Sequence, residues 1–145
     1  MLKNTIFPLL FISLCLAVVG CSDPKPAGFP KLYQVSMIFM QENEPCADVT
    51  IMLFPLDDNK WPSGGKTNAN GIATFITHGK FSGVPAGKYR IEVSKHETEY
   101  VVNGNAKTFT LIEPNLAPIE IEVVAGTNKF EPFDLGKKVR VQIKP

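Results

Sequence analysis

Apolar residues in this chain recur at every second position, a period that dictates strands and leaves no stretch patterned for a helix. From Lys88 to Lys95, Tyr89, Ile91 and Val93 point one way while Arg90, Glu92 and Ser94 point the other. One face meets a core and the other meets water. Ile119, Ile121 and Val123 alternate with Glu120 and Glu122, and Val139, Val141 and Ile143 with Arg140, Gln142 and Lys144. Val35, Met37 and Phe39 do the same against Gln34 and Ser36. Val49, Ile51 and Leu53 form another such row, but Met52 and Phe54 make this strand apolar on both sides, so it is expected to be covered on both faces. Gly71 to Thr77 reads as a strand after the turn Asn68-Ala69-Asn70-Gly71, whose Asn and Gly residues tolerate positive φ. Residues 107–112 and 129–135 are weaker strands. Twelve prolines and eleven glycines punctuate the chain at short intervals, as short strands require. About seven strands without a helix predict an all-β fold, a single antiparallel β-sandwich.

A different pattern precedes this domain. Lys3 gives a positive start, Ile6 to Val19 give an apolar run, and small Gly20 precedes Cys21. The run contains Pro8 and is shorter than the roughly 18 to 20 apolar residues of a membrane span. Val18-Val19-Gly20-Cys21 resembles a bacterial lipobox. The resemblance implies cleavage before Cys21, acylation of its side chain, and a second acylation, palmitate or a similar chain, on the new amino group. Several buried acyl chains, at about 0.8 kcal/mol per methylene, hold a protein on a bilayer almost irreversibly. The expected organisation is a signal peptide over 1–20, a lipidated cysteine with a proline-rich spacer over 21–31, and the β-sandwich over 32–145. The spacer, Ser22 to Pro30, reads as an extended tether that lets the domain stand clear of the headgroups. The expected location is the cell envelope, and Ser22 after the cysteine favours the outer membrane in a diderm host.

Charge and cysteine content exclude several functions. Loss of residues 1–20 removes Lys3, so 15 basic residues become 14 against 14 acidic ones. A neutral chain without a basic cluster is not built for nucleic acid. The mature part keeps Cys21 and Cys46, and lipidation of the first leaves no internal disulfide. Cys46 is expected to pack as a small buried hydrophobe.

Three stretches match one family in order. Pro45-Cys46-Ala47-Asp48-Val49-Thr50-Ile51 stands where a proline-led turn enters a strand. Thr67-Asn68-Ala69-Asn70-Gly71 stands at a T-D-A-D-G turn, and Gly83-Val84-Pro85-Ala86-Gly87-Lys88-Tyr89 matches G-V-P-A-G-x-Y. Together they resemble the carboxypeptidase regulatory-like domain, a transthyretin-like (prealbumin-like) sandwich, over residues 33–95, with a looser continuation through Pro118 to Leu135. The resemblance implies a module without catalysis of its own. Asn68 and Asn70 replace acidic residues, which weakens any calcium role for that turn. Asp48 stands where the family often has Gly, so it is expected in a strained turn conformation.

Few residues could carry chemistry. His78 and His96 lie eighteen positions apart without a companion ligand at helical spacing, so neither a metal site nor a catalytic site is assigned, and no cofactor is expected. Trp61, in the loop Asn59 to Gly65, is the main candidate ligand contact, with Tyr33, Phe81 and Tyr100 able to extend it if they share its face. The sequence therefore reads as a non-enzymatic, lipid-anchored envelope protein, held on the membrane by its N-terminal lipid and binding another envelope protein or acting structurally. A carbohydrate-binding module with Trp61 stacked on a glycan is the alternative.

Overall fold

The two-residue period becomes alternating burial in the computed structural model, which describes residues 23–58, 60–100, 106–114 and 116–143. Val18, Val19, Gly20 and Cys21 lie outside the described residues. The strands begin with β1 (Leu32–Tyr33), β2 (Val35–Gln41), β3 (Glu44–Pro45), β4 (Thr50–Pro55) and β5 (Ser63–Thr67). Next come β6 (Ile72–Thr77), β7 (Phe81–Ser82), β8 (Val84–Pro85), β9 (Gly87–Ser94) and β10 (His96–Tyr100). β11 (Ala106–Thr110), β12 (Ile119–Val123), β13 (Asn128–Lys129), β14 (Phe133–Asp134) and β15 (Val141–Ile143) follow. The fold is all-β and sandwich-like, with antiparallel sheets curled into a half-barrel.

The main sheet runs β12-β9-β4-β5-β6-β2-β13, and β10-β11-β15 form a separate outer sheet. β12 and β13 sit at opposite edges, so residues 124–127 must cross from one edge to the other. The chain consequently returns parallel to β2, where Asn128 faces Val35 and Phe133 faces Phe39. These two short parallel pairings depart from the wholly antiparallel sheet expected from sequence.

Phe39, Phe75, Tyr89, Met37, Ile51, Leu53, Val49 and Leu135 fill the core, and all are at most 2% exposed. Polar groups that enter it are paired. Thr77 donates to the Gly83 carbonyl at 2.7 Å, which leaves Ser63 to donate to Thr77 Oγ1 at 2.7 Å. Thr67 Oγ1 donates to the Cys46 carbonyl at 2.7 Å and accepts from Val49 N–H at 2.9 Å. Among the described residues no buried side-chain nitrogen or oxygen lacks a partner, as a stable interior requires.

Turn chemistry follows the residues quoted above. Asn68 Oδ1 accepts from the N–H groups of Asn70 and Ile72 at 2.9 and 3.1 Å. Gly71 has φ +71°, and a Cβ there would lie 2.5 Å from the Phe39 carbonyl oxygen. Asp48 does take a left-handed conformation, at φ +60°. Tyr89 turns inward and donates from its hydroxyl to the Pro85 carbonyl at 2.8 Å.

Two expectations are corrected. β4 is central, but its Met52 is 36% exposed, on the outward side of the sheet beside Glu92. β15 carries the expected apolar alternation, yet Val141 and Ile143 are 47% and 42% exposed. The strand joins β11 in the outer sheet and reaches no core.

The register also fixes which loops share an end. Ser63 faces both Leu53 and Thr77, Pro55 faces Tyr89, and Gly87 faces Val123. The loop holding Trp61, the turn at His78 and the start of β9 therefore meet at one end. Thr50 faces Ser94 and Lys66, so the Asn68 turn and the outer sheet belong to the opposite end.

Candidate functional site

β9 and β10 are nearly one strand, separated by Lys95, so the outward row Arg90, Glu92 and Ser94 continues as His96, Thr98 and Tyr100. A cleft of about 360 Å³ opens along this row. Arg90, Glu92 and His96 line one wall, and Glu113, Leu116 and Pro118 line the other. Arg90 donates to Glu92 Oε1 at 2.8 Å along that first wall.

Past the cleft the same face broadens onto the outer sheet. His96 faces Thr110, which faces Val141, and Thr98 faces Thr108, which faces Ile143. Tyr100 stands beyond them, 83% exposed. The result is an apolar and threonine-rich surface running out from a charged cleft.

The reverse face of the outer sheet is clamped. Arg140 stacks on the Phe109 ring at 3.7 Å while donating to Glu97 and Glu99 at 3.3 and 3.0 Å. Its pKa is held above the ordinary value, chiefly by the hydrogen bond to Glu99, against some desolvation and with help from Glu97. Stacking and the paired carboxylates fix the guanidinium plane. Glu97 and Glu99 also place charge on edge strand β10, a known protection against strand addition. The open face, more than the edge, is left for contacts.

Gln41 ties this region to the main sheet. Only 2% exposed, it donates from Nε2 to the carbonyls of Leu111 and Lys137 at 3.0 and 3.3 Å. The Cys46 thiol donates to Gln41 Oε1 at 3.6 Å, and Lys95 Nζ lies 3.6 Å from Cys46 Sγ. Cys46 is buried with a free thiol, in keeping with its expected packing role.

The other candidates from sequence do not assemble. Trp61 packs edge-to-face with Phe29 at 5.0 Å and with His78 at 5.4 Å. Phe81 joins this cluster through Phe29, at 4.7 Å. Tyr33 instead lies under the Lys31 ammonium and packs against the core, and Tyr100 is at the opposite end. Trp61 is half-buried among Phe29 and His78, and of the aromatic residues expected to extend its face only Phe81 lies in its cluster. His78 sits in the turn before β7 and His96 in the cleft wall, and no three His, Cys, Asp or Glu residues among the described ones converge as metal ligands. Sequence reasoning missed the cleft because His-Glu-Thr-Glu-Tyr, exposed on both faces, shows no apolar alternation.

Compared with protein families, with curated proteins and with solved structures, the chain found no match in any of the three.

Proposed function

We propose that this is a non-enzymatic, lipid-anchored protein of the bacterial cell envelope whose β-domain docks another envelope protein. The lipobox-like Val18-Val19-Gly20-Cys21 supports the anchor, with the outer membrane favoured in a diderm host. The resemblance to the carboxypeptidase regulatory-like domain supports a binding or structural role without chemistry. The observation that carries the docking role is the exposed face of Tyr100, Val141 and Ile143 continuing the charged cleft. Exposed aromatic and branched apolar side chains beside a few charges are the composition of protein contact surfaces. The glycan-binding alternative would rest on half-buried Trp61, whose cluster holds Phe29, His78 and Phe81 and not Tyr33 or Tyr100.

A photoreactive benzoylphenylalanine placed at Tyr100 tests this in the native cell. Defined adducts are expected from Tyr100 and not from Ile76, an exposed residue of the main sheet, and Val141→Glu should abolish them. Absence of adducts at Tyr100, or equal yields at Ile76, would refute the docking face.

A further inference from the structure

The proline-rich spacer does not stand off from the domain. Phe29 N–H closes a turn onto the Pro26 carbonyl at 3.1 Å, and the Phe29 ring packs against Trp61 and Phe81. Asp23 then reaches Lys80 at 3.1 Å, so the spacer is fastened at two points, Asp23 and Phe29, to the end that carries Trp61. Exposed ion pairs such as this last one are weak. The contacts among the half-buried rings of Phe29, Trp61 and Phe81 are the firmer attachment.

Chain arithmetic turns this into an orientation. Asp23 is two residues from Cys21, and two residues span about 7 Å at full extension. An acyl group on Cys21 would therefore hold the Trp61 end within a short distance of the bilayer surface. Resting on the lipoprotein reading, we infer that the Trp61 end is a membrane-contact surface, with the domain seated on the headgroups of the bilayer that holds its own lipid.

The residues at this end suit that occupant. Trp61 offers a half-buried indole beside Phe29 and Phe81, and such amphipathic rings favour the water–lipid interface. Segments 23–33, 56–62, 78–88 and 122–127 carry five lysines, Lys25, Lys31, Lys60, Lys80 and Lys88, against four acids, Asp23, Asp57, Asp58 and Glu122, a net of +1. That sign complements anionic headgroups. The opposite end then points away from the membrane, because Gly87 to Tyr100 spans up to about 43 Å at about 3.3 Å per residue. The Tyr100 face would stand clear of the lipid, in reach of a partner.

Trp61 is the only tryptophan and so reports on this contact without labelling. The native protein is reconstituted into phosphatidylethanolamine–phosphatidylglycerol vesicles doped with a nitroxide-headgroup lipid, floated, and checked by intact mass. Loss of Trp61 emission is expected in the acylated, vesicle-bound protein, and none in a Cys21→Ser variant mixed with the same vesicles. Acylated protein that floats with its emission unchanged overturns the membrane-contact surface and leaves the lipoprotein reading intact. Protein without acyl chains overturns both.

Discussion

Gln41→Leu should loosen the outer sheet more than any other single change of similar volume. The side chain donates two hydrogen bonds from a buried position, to Leu111 and Lys137, and its oxygen accepts from Cys46. Leucine fills nearly the same space, so the loss is of polar partners and not of packing. Each amide hydrogen bond contributes about 0.5–1.5 kcal/mol, and an acceptor left buried without a donor costs about 1–3 kcal/mol. Both carbonyls lie on segments that water can partly enter, which places the total near the lower range, at about 3 kcal/mol. With a urea m-value of about 2 kcal/mol/M, the midpoint should fall by about 1.5 M with m unchanged. Amide exchange should localise the effect. Protection should fall first in β11 and β15, held through residues 111 and 137, while Phe75 in β6 keeps its rank among the slowest. A shift under about 0.5 M, or uniform loss across both sheets, would refute the idea that Gln41 fastens β11 and β15 to the main sheet.

Three further outcomes follow from particular contacts. Gly71→Ala places a Cβ against the Phe39 carbonyl at φ +71°, so it should cost more than the about 1 kcal/mol of strain alone and lower the thermal midpoint by several degrees. Tyr89→Phe should cost about 1 kcal/mol in urea unfolding by leaving the Pro85 carbonyl without its donor. Asp48 is held below the usual carboxylate value of 3.8, first by its hydrogen bond to Lys66 and then by that lysine's charge. Because its folded pKa is depressed, its contribution is complete above the unfolded value and is lost as pH falls through the folded one, below 3.8. Carboxyl NMR titration should show the low midpoint, and Lys66→Met should raise it.

The sequence made most of the main sheet readable, because its strands have one buried face. β2, β9 and β12 each alternate as expected, and their apolar residues Met37, Tyr89 and Val123 are fully or nearly fully buried. The turn at Asn68 was also legible, since it depends on local backbone chemistry, while the left-handed Asp48 was expected only from the resemblance to a family that often has Gly there. Strand β5 was not. Ser-Gly-Gly-Lys-Thr carries no apolar period, and it holds its central place because Ser63 finds the Thr77 hydroxyl on β6 and Thr67 the Cys46 carbonyl in the segment before β4. Gly65 is needed there, as a Cβ would lie 2.5 Å from the Thr74 carbonyl oxygen.

The candidate site was harder to see. Its strand β10 is exposed on both faces, and in the outer sheet the buried side is marked by Phe109 under Arg140 and not by Val141 or Ile143, so period two does not report which side is buried. Val141 and Ile143 looked like core for that reason. The spacer misled in a different way, since a proline-rich composition describes stiffness and does not reveal that Phe29 has a pocket between Trp61 and Phe81. Pairings of this kind depend on contacts distant in sequence.

Intact-mass analysis with membrane fractionation, run on the native protein beside Cys21→Ser in the same cells, tests the lipid anchor most directly. The expected result is a mature chain beginning at Cys21, heavier by its acyl chains and confined to membranes, with the variant released. A soluble mature protein of unmodified mass would contradict it.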